Sequence, residues 1–147
     1  MENAILVNTD GGARGNPGPA ACSFVAHRSG KVIYKLAKYL GVTTNNQAEY
    51  QGVLLALSFL SQNPKAVTEN NIIFILDSEL VGRQLSGQYK TKDTKLINLL
   101  THVKLLERKI SARISYTVTT REKNKEADSL VNQELDRQAA GFTSLEE

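Results

Sequence analysis

Tryptophan is absent from the 147 residues, and cysteine and methionine occur once each. The lone Cys22 excludes an internal disulfide, and its neighbours Ala21, Ser23 and Phe24 mark it as a small core residue rather than a nucleophile. With His27 and His102 as the only histidines, the chain has few nitrogen or sulfur ligands to offer zinc. No apolar run exceeds strand length, and the run beginning at Ala4 is too short to span a bilayer and follows no basic leader. Neither a membrane segment nor a signal peptide is therefore expected, and a cytoplasmic location follows by default. Internal repeats and low-complexity linkers are missing as well.

What remains is ordinary globular material, 41% hydrophobic and 22% charged. One domain over residues 1–147 is expected, with its core at about 3–141 and a flexible tail at 142–147. The net charge of +3 is mildly basic and compatible with a polyanionic partner. Lys90, Lys92 and Lys95 form one basic cluster, Lys104, Arg108 and Lys109 a second, and Arg121, Lys123 and Lys125 a third. Each alone reads as a solvated face.

The stretch Thr9-Asp10-Gly11-Gly12-Ala13-Arg14-Gly15-Asn16-Pro17-Gly18-Pro19-Ala20 follows the apolar run Ala4-Ile5-Leu6-Val7. Its glycines and prolines predict a backbone-rich loop after a strand over 4–10, with N–H groups free to approach a ligand. A hairpin is expected from 20–27 and 31–40, turning at Arg28-Ser29-Gly30. Thr44 and Gln47 have the spacing of a capping box, with Thr44 or Asn45 as N-cap, opening a helix that Asn63-Pro64 ends. The apolar run Ile72-Ile73-Phe74-Ile75-Leu76 predicts a central strand ending at Asp77. Helices over 78–85 and 94–109, an edge strand over 112–118 and a last helix over 124–140, stopped by Gly141, complete the order β-β-β-α-β-α-α-β-α. That order describes an α/β fold, a five-stranded mixed sheet with helices on both faces.

Asp10 and Asp77 fall at the ends of apolar strands, the rim where open α/β sheets bind ligands. Glu49 and Asp128 are expected in the first turns of their helices, where an acid also complements the helix dipole. Brought together, four carboxylates would raise each other's pKa values and require cations, and an oxygen-only set suits magnesium or manganese. Two such ions about 3.5–4 Å apart support in-line displacement at phosphorus.

These segments, with Thr44-Asn45-Asn46-Gln47-Ala48-Glu49-Tyr50, Asp77-Ser78 with Leu80-Val81, and Asn124-Lys125-Glu126-Ala127-Asp128, resemble type 1 ribonuclease H over nearly the whole chain. The resemblance implies a ribonuclease H-like fold and a metal-dependent endonuclease cutting the RNA strand of RNA/DNA hybrids, leaving 3′-hydroxyl and 5′-phosphate ends. It assigns Asp10, Glu49, Asp77 and Asp128 to two Mg²⁺ ions, with Mn²⁺ as substitute. Asp10 would bridge the ions, Glu49 and Asp77 would surround the leaving-group ion, and Asp128 would hold the ion that activates water.

Telling RNA from DNA requires sensing the 2′-hydroxyl, for which amides and backbone groups are suited. The resemblance implies substrate contacts from Gly11, Gly12, Asn16, Thr44, Asn45, Asn46 and Gln47, with Thr44 and Asn16 at positions linked to a DNA-strand phosphate. Glu79 departs from the family, since many relatives carry an amide there. Arg121 stands where well-studied bacterial members carry a loop histidine, as in a subgroup with arginine at this place, and a guanidinium cannot act as a neutral base. The basic, tryptophan-containing protrusion of some relatives is missing, and with so few residues before residue 4 the N-terminal hybrid-binding module of other relatives is not expected. Tyr89 and Lys90, with Lys92 and Lys95, are a reduced substitute for the protrusion. No obligate protein partner is implied, and a monomer is expected. The alternatives are a catalytically inactive ribonuclease H-like binding module and a DNA-cutting nuclease of the same superfamily. A P-loop enzyme is disfavoured because the glycine stretch lacks the Gly-Lys-Ser/Thr ending.

Overall fold

The computed structural model describes residues 3–146, and side chains through residue 141. Strands β1 (Ala4–Ala13), β2 (Gly18–Arg28) and β3 (Lys31–Thr43) form an antiparallel meander. Ser29 and Gly30 turn β2 into β3 with φ of 53° and 78°, the positive pair required by a two-residue hairpin that matches strand twist. Helix α1 (Asn45–Gln62) crosses to β4 (Asn71–Leu76), which lies parallel to β1. Helices α2 (Glu79–Leu85) and α3 (Thr94–Glu107) lead to β5 (Arg113–Val118), parallel to β4, and α4 (Lys125–Glu146) follows. The sheet order is β3-β2-β1-β4-β5, so β5 is an edge strand, its alternate residues exposed.

Alternation along the strands creates two apolar faces. Ile5, Val7, Phe24 and Ala26 share a core with Ile72, Phe74 and Leu76, covered by Val53, Leu57 and Leu60 of α1 and Val103 of α3. Across the sheet, Ala21 packs against Val131 and Leu135 of α4. Each Leu or Phe fully buried here stabilises by roughly 1.5–3 kcal/mol. Cys22 is buried, and that burial pushes its thiol up to about 12, the behaviour of an inert core residue.

The fold departs from the sequence expectations in three places. Gly11, Gly12 and Ala13 do not loop but continue β1, paired with Cys22, Ala21 and Ala20. β3 runs on to Thr43 by inserting Leu40 as a bulge between Ala20↔Gly41 and Ala21↔Tyr39, with Gly41 at φ 77°. The last helix passes through Gly141 to Glu146, because that glycine lacks the positive φ that would end it. The expected flexibility of the tail concerns side chains beyond residue 141 and residue 147, which lie outside the described ones.

Candidate active site

Parallel register brings the first two acids together. Asn8 is level with Ile75 across β1 and β4, so Asp10, two residues further along β1, stands beside Asp77, which immediately follows the end of β4. Glu49 arrives from α1 because two glycines let helix and strand backbones touch. A Cβ on Gly11 would lie 2.1 Å from the Ala48 carbonyl oxygen, and one on Gly52 2.7 Å from that of Asp10. Only hydrogen fits at either point, and Glu49, next to Ala48, is thereby held against β1. Carboxylate oxygens of Asp10, Glu49 and Asp77 lie within 4.8 Å of one another.

Glu49 is the fifth residue of α1, not a first-turn residue as expected, and no acid occupies that turn. The helix dipole falls off within the first turn and does not account for it. Glu49 is only 7% exposed, and its Oε2 is buried without a hydrogen-bond partner. Burial, then Asp10, then Asp77, push its carboxyl well above the usual carboxylate range. Burial is also the main reason that Asp10 is pushed up to about 7, with Asp77 and Asp128 adding repulsion, against hydrogen bonds from Glu49 and the Gly11 backbone. An all-oxygen donor set, an orphaned buried oxygen and two carboxyls pushed toward protonation fit a hard divalent cation.

Asp128 lies in the first turn of α4 and acts on Asp10 through charge, but stands outside the close group of three. Ser23 Oγ donates to the Ala127 carbonyl at 2.6 Å and so fixes α4 one residue before Asp128. Asn124 lies at the end of the 3-10 turn Arg121–Asn124 and is 1% exposed. Its Nδ2 reaches the Thr9 carbonyl at 2.9 Å and Asp77 Oδ2 at 3.3 Å, while its Oδ1 accepts from Asn8 Nδ2 at 2.9 Å. Sequence reading missed this bracket between β1, β4 and α4. The signal available was a lone amide preceding a helix, which reads as a start residue.

The amides sit on an adjoining rim. Thr44 is the N-cap of α1, and its backbone and side chain form the capping box with Gln47; Thr43 Oγ1 also bonds Gln47 Oε1. Asn45 is the first helical residue rather than the cap: its Oδ1 accepts from Ala13 N at 2.8 Å, and its N–H donates to Asn16 Oδ1 at 2.9 Å. Gly12 lies beneath it, with Asn45 Oδ1 4.0 Å from where a Cβ would stand. A cleft of about 480 Å³ between the starts of α1 and α3 is lined by Asn16, Thr44, Asn46, Gln47, Asp93 and Lys95. Tyr89 and Lys90 are exposed on the connector between α2 and α3, and Arg121 is exposed on its turn.

A mixed sheet with two parallel crossovers, and acids from β1, from the end of β4 and from α1 gathered beside it, defines a nuclease-like α/β domain. Residues 8–134 match the family described as reverse transcriptase-like. A bifunctional protein of Mycobacterium tuberculosis is 32% identical over 137 residues, covering 92% of this chain and 36% of that protein. Ribonuclease HI of Halobacterium salinarum is 34% identical over 130 residues, 86% of this chain and 62% of that protein. The chain therefore spans about a third of the mycobacterial relative's length. Among solved structures, LC11-RNase H1 in complex with an RNA/DNA hybrid superposes with a TM-score of 0.87 at 34% identity, over 92% of this chain and 99% of that one. RNase H1 of Halobacterium salinarum superposes at 0.82 with 33% identity, over 90% and 98%. The chain belongs to the ribonuclease H-like family.

Proposed function

We propose that this chain is an endoribonuclease that hydrolyses the RNA strand of RNA/DNA hybrids, leaving 3′-hydroxyl and 5′-phosphate ends. The observation that carries this reading is the meeting of Asp10, Glu49 and Asp77 within 4.8 Å where β4 ends beside β1. Likeness to a ribonuclease H1 solved with a hybrid supports the substrate.

Asp10, Glu49, Asp77 and, from α4, Asp128 would hold two magnesium ions, with manganese as substitute. When bound, such ions supply charge stabilisation at phosphorus and acidify the attacking water. The protein's own contribution is to gather charge that water would otherwise disperse. Asn124 keeps the Asp77 carboxylate turned toward Thr9 and Asp10, and the Gly11–Ala48 contact keeps Glu49 from swinging away. Gly11, Gly12, Asn16, Thr44, Asn45, Asn46 and Gln47 form the track for the hybrid's minor groove and 2′-hydroxyls, and Tyr89 and Lys90 meet the DNA strand. Arg121 acts on phosphate charge, since a guanidinium holds its proton near pH 7. We assign the chain to the subgroup with arginine at that position, working as a single-domain monomer in the cytoplasm.

The test is cleavage of end-labelled RNA/DNA hybrid, RNA/RNA, DNA/DNA and single-stranded RNA, with magnesium, manganese or EDTA. Internal cuts confined to the RNA of the hybrid are expected, lost with EDTA and reduced at least about 10³-fold in Asp10→Asn, which keeps hybrid binding. Binding without cleavage in every metal would leave a non-catalytic module, and cutting of DNA would move the chain to another nuclease class.

A further inference from the structure

Helix α2 begins two residues after Asp77 and carries an acid, Glu79, in its first turn. A free carboxylate so near the cleavage centre repels a polyanionic substrate. Four residues along, Arg83 Nε donates to Glu79 Oε2 at 2.8 Å. The same guanidinium donates through Nη1 to Gln88 Oε1 at 2.5 Å, and its carbon lies 5.7 Å from the centre of the Tyr89 ring. The Arg83 carbonyl accepts from the N–H groups of Gln88 and Tyr89 at 2.8 and 3.0 Å, while Gly87 at φ 80° turns the chain back onto the helix. Tyr89 keeps 44% of its surface exposed.

One side chain therefore joins an acid on α2 to an amide and an aromatic ring, Gln88 and Tyr89, that follow one another on the connector after it. An exposed ion pair one helical turn apart contributes only about 0.3–0.5 kcal/mol, so stability alone gives little reason for the arrangement. A planar guanidinium offers several donors in its plane and a face for an aromatic ring, which a lysine ammonium cannot do.

We infer that Arg83 is a positioning residue for nucleic acid: it quenches Glu79 beside the acidic centre and fixes Tyr89 as a stacking surface for a strand of the bound hybrid. The inference rests on the hybrid-cleaving reading and adds to it a residue outside the amide track. Glu79 is then no longer an unopposed negative charge in the groove, and a connector lacking the basic protrusion still presents an ordered ring.

The experiment measures binding of a fluorescently labelled RNA/DNA hybrid by anisotropy, with Asp10→Asn as the non-cleaving parent, and melting temperature for each variant. Arg83→Ala should weaken binding about five- to tenfold. Adding Glu79→Gln to Arg83→Ala should recover much of that loss, because the unopposed carboxylate is gone. A purely structural arginine would not be rescued in this way. Glu79→Gln alone should tighten binding about two- to threefold, since Arg83 keeps its charge without an acid to oppose it. In the cleaving enzyme Arg83→Ala should raise KM more than it lowers kcat. Parent-like binding by Arg83→Ala, failure of Glu79→Gln to rescue it, or no tightening from Glu79→Gln alone would each overturn the role. If the parent itself does not bind the hybrid, the proposed function falls and this role with it; a parent that binds while Arg83→Ala binds equally removes the role alone.

Discussion

Asp10 carries a cost in the folded chain that a cation would remove. Its carboxyl has an ordinary value of 3.8 and is pushed up to about 7 by burial and by Asp77 and Asp128. Between those two values the folded chain holds a proton that the unfolded chain has released. The Asp10 contribution is therefore most favourable below about pH 4 and is lost as pH rises through 7. In metal-free buffer Asp10→Asn should raise the melting temperature at pH 8 by on the order of 5 °C and leave it nearly unchanged at pH 4. Calorimetric scans of both proteins at the two pH values check this, and magnesium should stabilise the native protein while giving the variant less. A variant less stable than the native chain at pH 8 would mean that Asp10 is held charged by a partner. Asn124 works in the opposite sense, adding stability by satisfying buried groups. Asn124→Ala strips the hydrogen bonds from Asn8 Nδ2 and the Thr9 carbonyl and should cost about 2–4 kcal/mol in urea unfolding.

At the scale of elements, the acids depend on how closely α1 lies on β1. Gly11→Ala would place a methyl carbon 2.1 Å from the Ala48 carbonyl oxygen, so helix and strand must separate. We expect a loss of about 1–3 kcal/mol, with hybrid cleavage falling far more than helical circular dichroism, since Glu49 moves with the helix. Unchanged turnover would show that Glu49 tolerates the shift. This contact also marks the limit of what the chain discloses locally. The Thr44–Gln47 capping box, the Ser29-Gly30 turn and the stop at Asn63-Pro64 are legible because each is decided by a few adjacent residues. Asp77 is legible as the acid that follows an apolar strand, whereas Asp10, expected at a strand end, lies within β1 because the strand runs three residues further. Gly11–Ala13 are not legible as strand, because the reason for glycine there is a helix 37 residues away from Gly11 to Ala48. The depth of Glu49 in its helix turns on a single residue of cap placement, and the burial of Asn124 on three partners remote in sequence. Gly141 carries the usual stop signal without the backbone conformation that would act on it.

For the whole molecule, the basic clusters that look alike in sequence become unequal once folded. Lys104 donates to the Leu85 carbonyl at 3.0 Å and pairs with Glu107 at 3.2 Å, so much of its charge is already engaged in holding α3. Lys90, Lys92 and Lys95 are exposed on the connector and the start of α3, which borders the cleft at Asn16 and Thr44. Arg121, Lys123 and Lys125 are exposed at the approach to Asp128. A polyanion lying across the acids can meet these two groups, whereas Lys104 of the third is already engaged within the protein. If about three to five phosphates are neutralised, log K for the hybrid should fall against log salt with a slope of about −2 to −4. Raising salt from about 50 to 200 mM then weakens binding roughly 20- to 200-fold and raises KM in step, while kcat at saturation changes little. Lys90→Ala should shallow the slope by a little under one, whereas Lys104→Ala should leave the slope alone and lower the melting temperature, because its partners are within the protein. Equal slopes for Lys90→Ala and the native chain would detach the connector from the substrate, and a shallower slope for Lys104→Ala would carry the nucleic acid across α3 instead.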